Sequence, residues 1–199
     1  MHKVIYFLKQ SWLLITAAFI FGLLLAITSA SLDPIIRQNE ANLLNAKMKS
    51  LIPDANEFKT VIKDFEIANT KTDIYQAVDA KGNTMGFAFI AVGSGFADKI
   101  KLVIAVDKNF NKYYGFAVLS SNETPGFGSK IIEPYFSSQF IGAPAETLQL
   151  SKIGDDKKID ENIVAITGAT VSSDAVVRIF NRYNEQIKNE LKDKGFIEK

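Results

Sequence analysis

The feature that most limits how this chain folds is an apolar stretch near its amino terminus. No charged residue occurs over residues 10–32, and residues 12–30 are almost continuously apolar. At about 1.5 Å per residue, a helix of this length can cross a bilayer. The sequence therefore predicts one N-terminal transmembrane helix over residues 11–32.

A cleaved secretory signal is the alternative explanation of the same stretch. Thr28, Ser29 and Ala30 are small residues near a plausible cleavage point. The apolar run, however, exceeds the roughly 7 to 15 residues of a signal's hydrophobic region. A retained anchor is therefore the favoured interpretation.

The charges that flank the apolar stretch predict its orientation. Lys3 and Lys9 precede it, whereas Asp33 and Arg37 roughly cancel after it. The positive-inside rule then places residues 1–10 in the cytoplasm and the main domain on the extracytoplasmic side of the inner, cytoplasmic membrane.

The composition excludes several kinds of chemistry. The chain has no cysteine, and its single histidine is His2. Cysteine-ligated iron–sulfur clusters, thiol catalysis, disulfides and a Ser-His-Asp triad are therefore excluded. Redox chemistry in this chain requires a bound cofactor, and no metal site is expected.

The net charge argues against a nucleic-acid partner. Lysine and arginine number 23 and the acidic residues 22, so the sequence has no strongly basic character. Nucleic-acid binding relies on clustered positive charge. We therefore expect no nucleic-acid partner.

Residues 33–58 are predicted to form a stalk helix and a linker. Asp33 suits the N-cap position and Pro34 the first helical position. Apolar residues then recur at helical spacing until Pro53. An amphipathic helix packed on the main domain fits the same pattern equally well.

Residues 59–199 are predicted to form one α+β domain. Strand-like runs occupy residues 74–79, 84–92, 100–107 and 113–119, and turn residues separate them. Gly93 and Gly95 superficially resemble a dinucleotide-binding loop, but a strand follows them instead of a helix. After Ser172, apolar residues at three- and four-residue steps predict an amphipathic helix on an antiparallel sheet. Residues 151–161 are predicted to form a solvated loop.

The first candidate motif is SNETPGFGSK, residues 121–130. Gly126 and Gly128 allow close approach of the backbone to a flat ligand, and Pro125 stiffens the loop. Ser129 follows Gly128, so the motif is not a P-loop. An ordinary turn remains the alternative from these residues alone.

The second candidate motif is TGATVSS, residues 167–173. Gly168 and Ala169 leave the hydroxyl of Thr170 exposed, and Ser172 or Ser173 is predicted to cap the following helix. A helix amino terminus favours a phosphate group. A capping turn without a ligand is the alternative.

Taken together, the two motifs resemble the FMN-binding domain family, and within it the G subunits of Rnf-type complexes. The resemblance covers nearly the whole chain and implies that a flavin transferase joins FMN covalently, through its phosphate, to the hydroxyl of Thr170. It also implies that the loop of residues 123–128 lies against the isoalloxazine ring. The implied cofactor-binding residues are Thr170, Thr167, Gly168, Ala169, Ser172, Glu123, Thr124, Pro125, Gly126 and Gly128, with no catalytic residue.

The resemblance implies an electron-carrying subunit of a membrane-bound, ion-translocating ferredoxin:NAD oxidoreductase, with the other subunits of that complex as partners. C subunits of sodium-translocating NADH:quinone reductases share both motifs and are usually longer, so such a subunit, or a stand-alone extracytoplasmic flavoprotein, is the alternative. A membrane-tethered binding or scaffold domain without flavin is the alternative of another class.

Two positions depart from the family pattern. Val164 stands where family members commonly carry an aspartate, three residues before the threonine that opens the second motif. Phe127 replaces the more usual leucine of the Pro-Gly-Leu-Gly loop. The phenylalanine keeps an apolar contact and adds an aromatic neighbour for the ring.

Overall fold

The computed structural model of the chain describes residues 2–67 and 69–198. The chain separates into two compact units, one extending to Leu43 and the other beginning at Leu44. The second unit is an antiparallel sheet with packed helices, and an apolar helix occupies the N-terminal part of the chain. The predicted α+β class is confirmed.

The first unit consists of helix α1 (His2–Leu51) as far as Leu43. In the described part of the chain, α1 is the helix that is long and apolar enough to cross a membrane. Three of its hydroxyls bond within the helix: Thr16, Thr28 and Ser31 each donate to the carbonyl oxygen four residues earlier, at 2.7 to 2.8 Å. Such bonds satisfy polar groups that hydrocarbon cannot solvate.

Pro34 lies inside α1, so the predicted helix start at Asp33 and Pro34 is wrong. A proline suits a first helical position because the N–H that it lacks would have no partner there. Inside a helix, the missing N–H removes one hydrogen bond. The apolar residues before Pro34 already form helix. The predicted end before Pro53 is confirmed, since α1 ends at Leu51.

The second unit contains a five-stranded sheet in which each strand pairs antiparallel with the next along the chain. The strands are β1 (Glu57–Ile67), β2 (Thr70–Val78), β3 (Thr84–Ser94), β4 (Lys99–Asp107) and β5 (Tyr113–Ser121). The four predicted strands are β2 to β5, and their bounds differ from the predicted ones by at most four residues. Strand β1 was not predicted, because register shifts near Ile62 break the two-residue alternation that identifies a strand.

Short elements follow the sheet. A 3₁₀ turn (Gly128–Ile132), helix α2 (Pro134–Ser137) and a second 3₁₀ turn (Ser138–Phe140) lead to β6 (Gln149–Ser151) and β7 (Asn162–Val164), which pair in parallel. Residues 152–161 form the predicted loop, with Ser151 as the last residue of β6. Helix α3 (Thr170–Asp193) then covers one face of the sheet.

Both faces of the sheet are buried, and β4 shows this most clearly. Ile100, Leu102 and Ile104 contribute to the core beneath α3. Val103 and Ala105 point to the opposite face, where they pack with Met48 and other residues of the last turns of α1. Successive side chains of a strand alternate between faces, so a strand buried on both sides is apolar throughout.

An aromatic cluster fixes the segment between β5 and β6 against α3. The ring of Phe180 on α3 lies 4.9 Å from that of Tyr113, 5.6 Å from that of Phe116 and 4.6 Å from that of Phe140, between centroids. The pairs with Tyr113 and Phe116 are edge-to-face, and such pairs stabilise a core beyond the area that they bury. The cluster therefore positions α3 relative to β5.

We expect Phe180→Ala to lower the free energy of unfolding by about 3 to 5 kcal/mol, because it opens a cavity among packed rings. Chemical denaturation of the full chain in detergent, followed by tyrosine fluorescence, measures the change. Ile153→Ala is the control: Ile153 is 89% exposed, and the effect should stay within about 0.5 kcal/mol. Equal effects of the two substitutions would contradict this view of the core.

Candidate functional site

The turn between β7 and α3 is held from inside the protein by Ser173. Its buried hydroxyl accepts a hydrogen bond from the Ile166 N–H at 3.0 Å and donates to the Ala169 carbonyl at 3.0 Å. Gly168 has φ +80°, a conformation that glycine adopts without strain. The chain therefore reverses sharply just before Thr170, the first residue of α3.

The amino terminus of α3 has no side-chain cap. Its N-cap residue is Ala169, which makes no capping hydrogen bond. The prediction that Ser172 or Ser173 caps the helix is therefore wrong, because both hydroxyls are committed to other partners. Thr170 does not cap the helix either. In the described residues, nothing forms a hydrogen bond with its half-buried hydroxyl.

A pocket of about 420 Å³ opens beside Thr170. Residues of the second motif, of the first motif and of the loop after β3 line this pocket. The lining residues are Phe96, Thr124, Phe127, Gly128, Gly168, Ala169, Thr170, Val171 and Ser172. The two motifs are separated by about forty residues of sequence, and the fold of the antiparallel sheet brings them together.

The two motifs lie close together at Phe127 and Gly168. A Cβ placed on Gly168 would lie 3.5 Å from Cδ1 of Phe127, which is ordinary van der Waals contact. Phe127 is nevertheless 57% exposed, and Phe96 is 66% exposed. Two exposed aromatic side chains therefore border the pocket at different points of its rim.

Glu123 lies behind the pocket wall instead of on it. The residue is only 6% exposed. Oε1 accepts hydrogen bonds from the backbone N–H groups of Phe96 at 2.9 Å and Ala97 at 3.1 Å. Oε2 accepts one from the Ser172 hydroxyl. Glu123 therefore contacts two of the elements that form the pocket.

Gly126 belongs to a turn and does not line the pocket. It has φ +77°, and its N–H donates to Ser129 Oγ at 3.0 Å. The Thr124 carbonyl accepts hydrogen bonds from the N–H groups of Phe127 and Ser129, both at 3.2 Å. These bonds fold the loop so that Phe127 and Gly128 face the pocket and Gly126 turns the chain.

Asn122 joins the loop before Glu123 to the loop after β3. Its side-chain amide donates to Asp98 Oδ2 at 2.9 Å. This bond, together with one from the Lys99 backbone, holds the pKa of the Asp98 carboxyl below its usual range. Asp98 is therefore charged at neutral pH, although its exposure to solvent keeps the contribution to stability small.

Of the residues implied by the family resemblance, six line the pocket: Thr124, Gly128, Gly168, Ala169, Thr170 and Ser172. Thr167, Pro125 and Gly126 are exposed residues of the two turns, and Glu123 is buried. Phe96 and Val171 also line the pocket, although they were not predicted as site residues from the sequence. A signal for Phe96 was present, because an aromatic residue directly after Gly93 and Gly95, in a loop, has no core to fill.

Val164 lies on β7, outside the pocket. Its N–H donates to Gln139 Oε1 at 2.7 Å, and its carbonyl accepts from Gln139 Nε2 at 3.2 Å. The side-chain amide of Gln139 thus pairs with β7 as a neighbouring strand would. Because the bonds to Gln139 involve only the backbone of Val164, valine in place of the family's aspartate does not disturb the strand.

A larger cavity, of about 590 Å³, runs along β5 and is lined in part by Lys47, Phe116 and Ile132. It contains none of the residues implied by the family resemblance. In the part of the chain that the structure describes, no group of three or more acidic or histidine side chains could hold a metal ion. The pocket at Thr170 is therefore the candidate site.

Comparison with known proteins identifies the class of this domain. The FMN-binding domain family matches residues 95–185, a span that includes Phe96, the loop at Glu123 and the turn at Thr170. The fold resembles that of NqrC from Shewanella oneidensis, with a TM-score of 0.54 and 22% identity over 71% of this chain and 73% of that chain. The chain thus contains an FMN-binding domain.

Two relatives identify the family of the whole chain. It is 34% identical to the G subunit of the proton-translocating ferredoxin:NAD(+) oxidoreductase complex of Clostridium ljungdahlii, over 85% of each protein. It is 31% identical to the G subunit of the ion-translocating oxidoreductase complex of Methanosarcina acetivorans, over 77% of this chain and 80% of that protein. The chain belongs to the family of G subunits of ion-translocating oxidoreductase complexes.

We expect different substitutions to be tolerated at the two glycines of the first motif. At Gly128 an added Cβ would lie 2.5 Å from Ser172 Oγ and 2.6 Å from Glu123 Oε2. Gly128→Ala should therefore lower the free energy of unfolding by about 1 to 3 kcal/mol.

Gly126 has open space around it, so only its positive φ restricts the choice of residue. Asparagine tolerates this conformation. Gly126→Asn should therefore destabilise less than Gly128→Ala when both are compared by denaturant unfolding of the full chain. The reverse order would show that the packing at Gly128 is looser than the structure indicates.

Proposed function

We propose that this chain is an electron-carrying flavoprotein subunit that holds FMN covalently through a phosphoester at Thr170. The family membership supports the flavin, and the environment of Thr170 supports the point of attachment. The observation that carries the proposal is the position of that hydroxyl: it borders the pocket, it is half-buried, and no described residue forms a hydrogen bond with it.

The start of α3 suits the phosphate. No side chain caps the N–H groups of its first turn, and a helix amino terminus favours a negative charge by about 0.3 to 1 kcal/mol at an exposed site. A phosphodiester keeps one negative charge at neutral pH. The uncapped first turn therefore supplies donors that a Ser or Asp cap would otherwise occupy.

The remaining residues of the pocket fit a flat aromatic group. Gly128 and Gly168 leave the walls free of side chains, and Phe96, Phe127 and Val171 border the opening with apolar surface. Aromatic side chains favour stacked or edge contacts with another ring. We propose that Thr124, Phe127 and Gly128 border the isoalloxazine, and that Glu123 supports the pocket from behind.

The bound flavin would supply the electron-carrying chemistry, as cofactors do where side chains cannot. The chain itself binds and orients this group and performs no bond chemistry on a substrate. A covalent link prevents loss of the flavin from an extracytoplasmic domain. A separate flavin transferase is the maturation partner that this attachment requires.

We propose that α1 anchors the protein in the inner, cytoplasmic membrane. Residues 1–10 would lie in the cytoplasm and residues 11–32 would span the bilayer. Residues 33–58 would connect this span to the extracytoplasmic FMN-binding domain, which residues 59–199 would form. The exposed apolar side chains of this stretch and its internally bonded hydroxyls support a lipid environment.

The partners are proposed from the relatives. The relative from Clostridium ljungdahlii belongs to a ferredoxin:NAD(+) oxidoreductase complex, and we propose that this chain carries electrons inside a complex of the same kind. A role as the C subunit of an NADH:quinone reductase is the alternative. Purification of the complex separates the two, because the neighbouring subunits differ.

Replacing the attachment hydroxyl tests the proposal directly. We expect Thr170→Ala to abolish flavin fluorescence of the denatured chain on a gel, because the proposed linkage forms through that hydroxyl and the nearby Ser172 hydroxyl is bonded to Glu123. Thr167→Ala should weaken it only, since Thr167 is exposed and does not line the pocket. A Thr170→Ala chain as fluorescent as the parent would refute covalent attachment at this residue.

Protease accessibility tests the proposed orientation. We expect protease added to cells with a permeabilised outer envelope and an intact inner membrane to digest the FMN-binding domain, because Lys3 and Lys9 favour a cytoplasmic amino terminus. A cytoplasmic marker protein should remain intact in the same sample. Digestion of the domain only after lysis would place it on the cytoplasmic side.

A further inference from the structure

The buried carboxylate of Glu123 connects two parts of the protein that no other side chain joins in the same way among the described residues. Its three hydrogen-bond donors come from the loop after β3, through Phe96 and Ala97, and from the first turn of α3, through Ser172. In the same part of the chain, no lysine or arginine forms an ion pair with it. Backbone N–H groups and one hydroxyl therefore balance its charge.

The surroundings of Glu123 are shaped to admit this side chain. A Cβ on Gly128 would lie 2.6 Å from Oε2, and a Cβ on Gly95 would meet Oε1. Glycine at both positions thus leaves the space that the carboxylate occupies. Gly128 lines the pocket and Gly95 directly precedes the pocket-lining Phe96, so two loops of the site enclose this side chain.

The loop that carries Phe96 has few other constraints. It connects β3 to β4, and besides the bonds to Glu123 it is closed by the Gly95 N–H to the Asp98 carbonyl at 2.7 Å and by Asn122 to Asp98. Phe96 is 66% exposed, so core packing does not fix its ring. Hydrogen bonds to Glu123 therefore hold the backbone at the residue whose ring borders the pocket.

We propose that Glu123 is a positioning residue that sets the width of the flavin pocket by holding the Phe96 loop opposite the first turn of α3. Through Phe96, Glu123 controls how much of the flavin's isoalloxazine ring is shielded from water. The inference rests on the proposed function for its last step, because shielding requires a flavin at Thr170. The first step, in which Glu123 holds the Phe96 loop, does not depend on a bound flavin.

The chemistry of the side chain explains why glutamate suits this position. One oxygen accepts two backbone N–H groups while the other accepts a hydroxyl, and hydrogen bonds to a charged acceptor are roughly twice as strong as neutral ones. Glutamine keeps the length and one accepting oxygen. Aspartate keeps the charge but is one methylene shorter, so it cannot reach both elements.

The first experiment measures the loop without any flavin. Amide hydrogen exchange is followed in the full, detergent-solubilised chain carrying Thr170→Ala, with Glu123→Ala, Glu123→Gln or the exposed control Glu185→Ala added. We expect Glu123→Ala to speed exchange at the Phe96 and Ala97 amides by about tenfold or more, the effect of losing a hydrogen bond to a charged group. Glu123→Gln should give a smaller increase, and Glu185→Ala none.

The outcomes of this experiment are decisive in either direction. Unchanged exchange at Phe96 and Ala97 in Glu123→Ala overturns the proposal. If that variant does not fold, Glu123→Asp replaces it. Faster exchange confined to the loop and the first turn of α3 then supports the proposal, and exchange that is unchanged, or faster throughout the domain, overturns it.

The second experiment measures shielding of the flavin. Iodide quenching of flavin fluorescence, normalised to flavin content, is compared for the parent, Phe96→Ala, Glu123→Ala and the double variant. If Glu123 acts through Phe96, both single variants should be quenched more than the parent, and the double variant no more than Phe96→Ala. Additive effects, or parent-like quenching in Glu123→Ala, would overturn the step through Phe96. A parent without covalent flavin would instead refute the proposed function and leave the exchange result standing.

Discussion

The site depends on the close contact between α3 and β3. Gly93 has no side chain, and a Cβ there would meet the side chain of Ile179. Tyr183 exchanges hydrogen bonds with the backbone of Val92, at 3.1 and 3.3 Å. A helix held this tightly along its middle has a fixed amino terminus, because an α-helix behaves as a stiff rod over a few turns. The position of Thr170 follows from packing at some distance from it.

Buried polar side chains then determine how the pocket is formed around that terminus. Ser173 shapes the turn before the helix, Ser172 bonds to Glu123, and neither caps the helix. Serines near the start of a helix often cap the N–H groups of its first turn, but these two serines bond to buried partners instead. The N–H groups of the first turn consequently remain available to an anion, which is what a phosphate site requires.

Local rules predicted some elements well and failed at others for identifiable reasons. The strands β2 to β5 were predicted because each is a continuous apolar run between turn residues, whereas the register shifts of β1 hid its alternation. Pro34 indicated a helix start, but α1 continues through it, although an interior proline removes one hydrogen bond. Capping by Ser172 or Ser173 was predicted from residue type alone, but the Ser172 hydroxyl bonds to the distant Glu123 and the Ser173 hydroxyl bonds to the backbone of the turn before the helix.

The sequence by itself determined the apolar N-terminal helix, the α+β class and the two motifs, because periodicity and glycine placement are local properties of a chain. Only the tertiary structure decided that Gly128 faces the pocket, that Glu123 is buried behind it, and that the exposed ring of Phe96 borders it. These facts depend on contacts between residues far apart in sequence. Such contacts form when the antiparallel sheet and α3 pack together, and no local pattern encodes them.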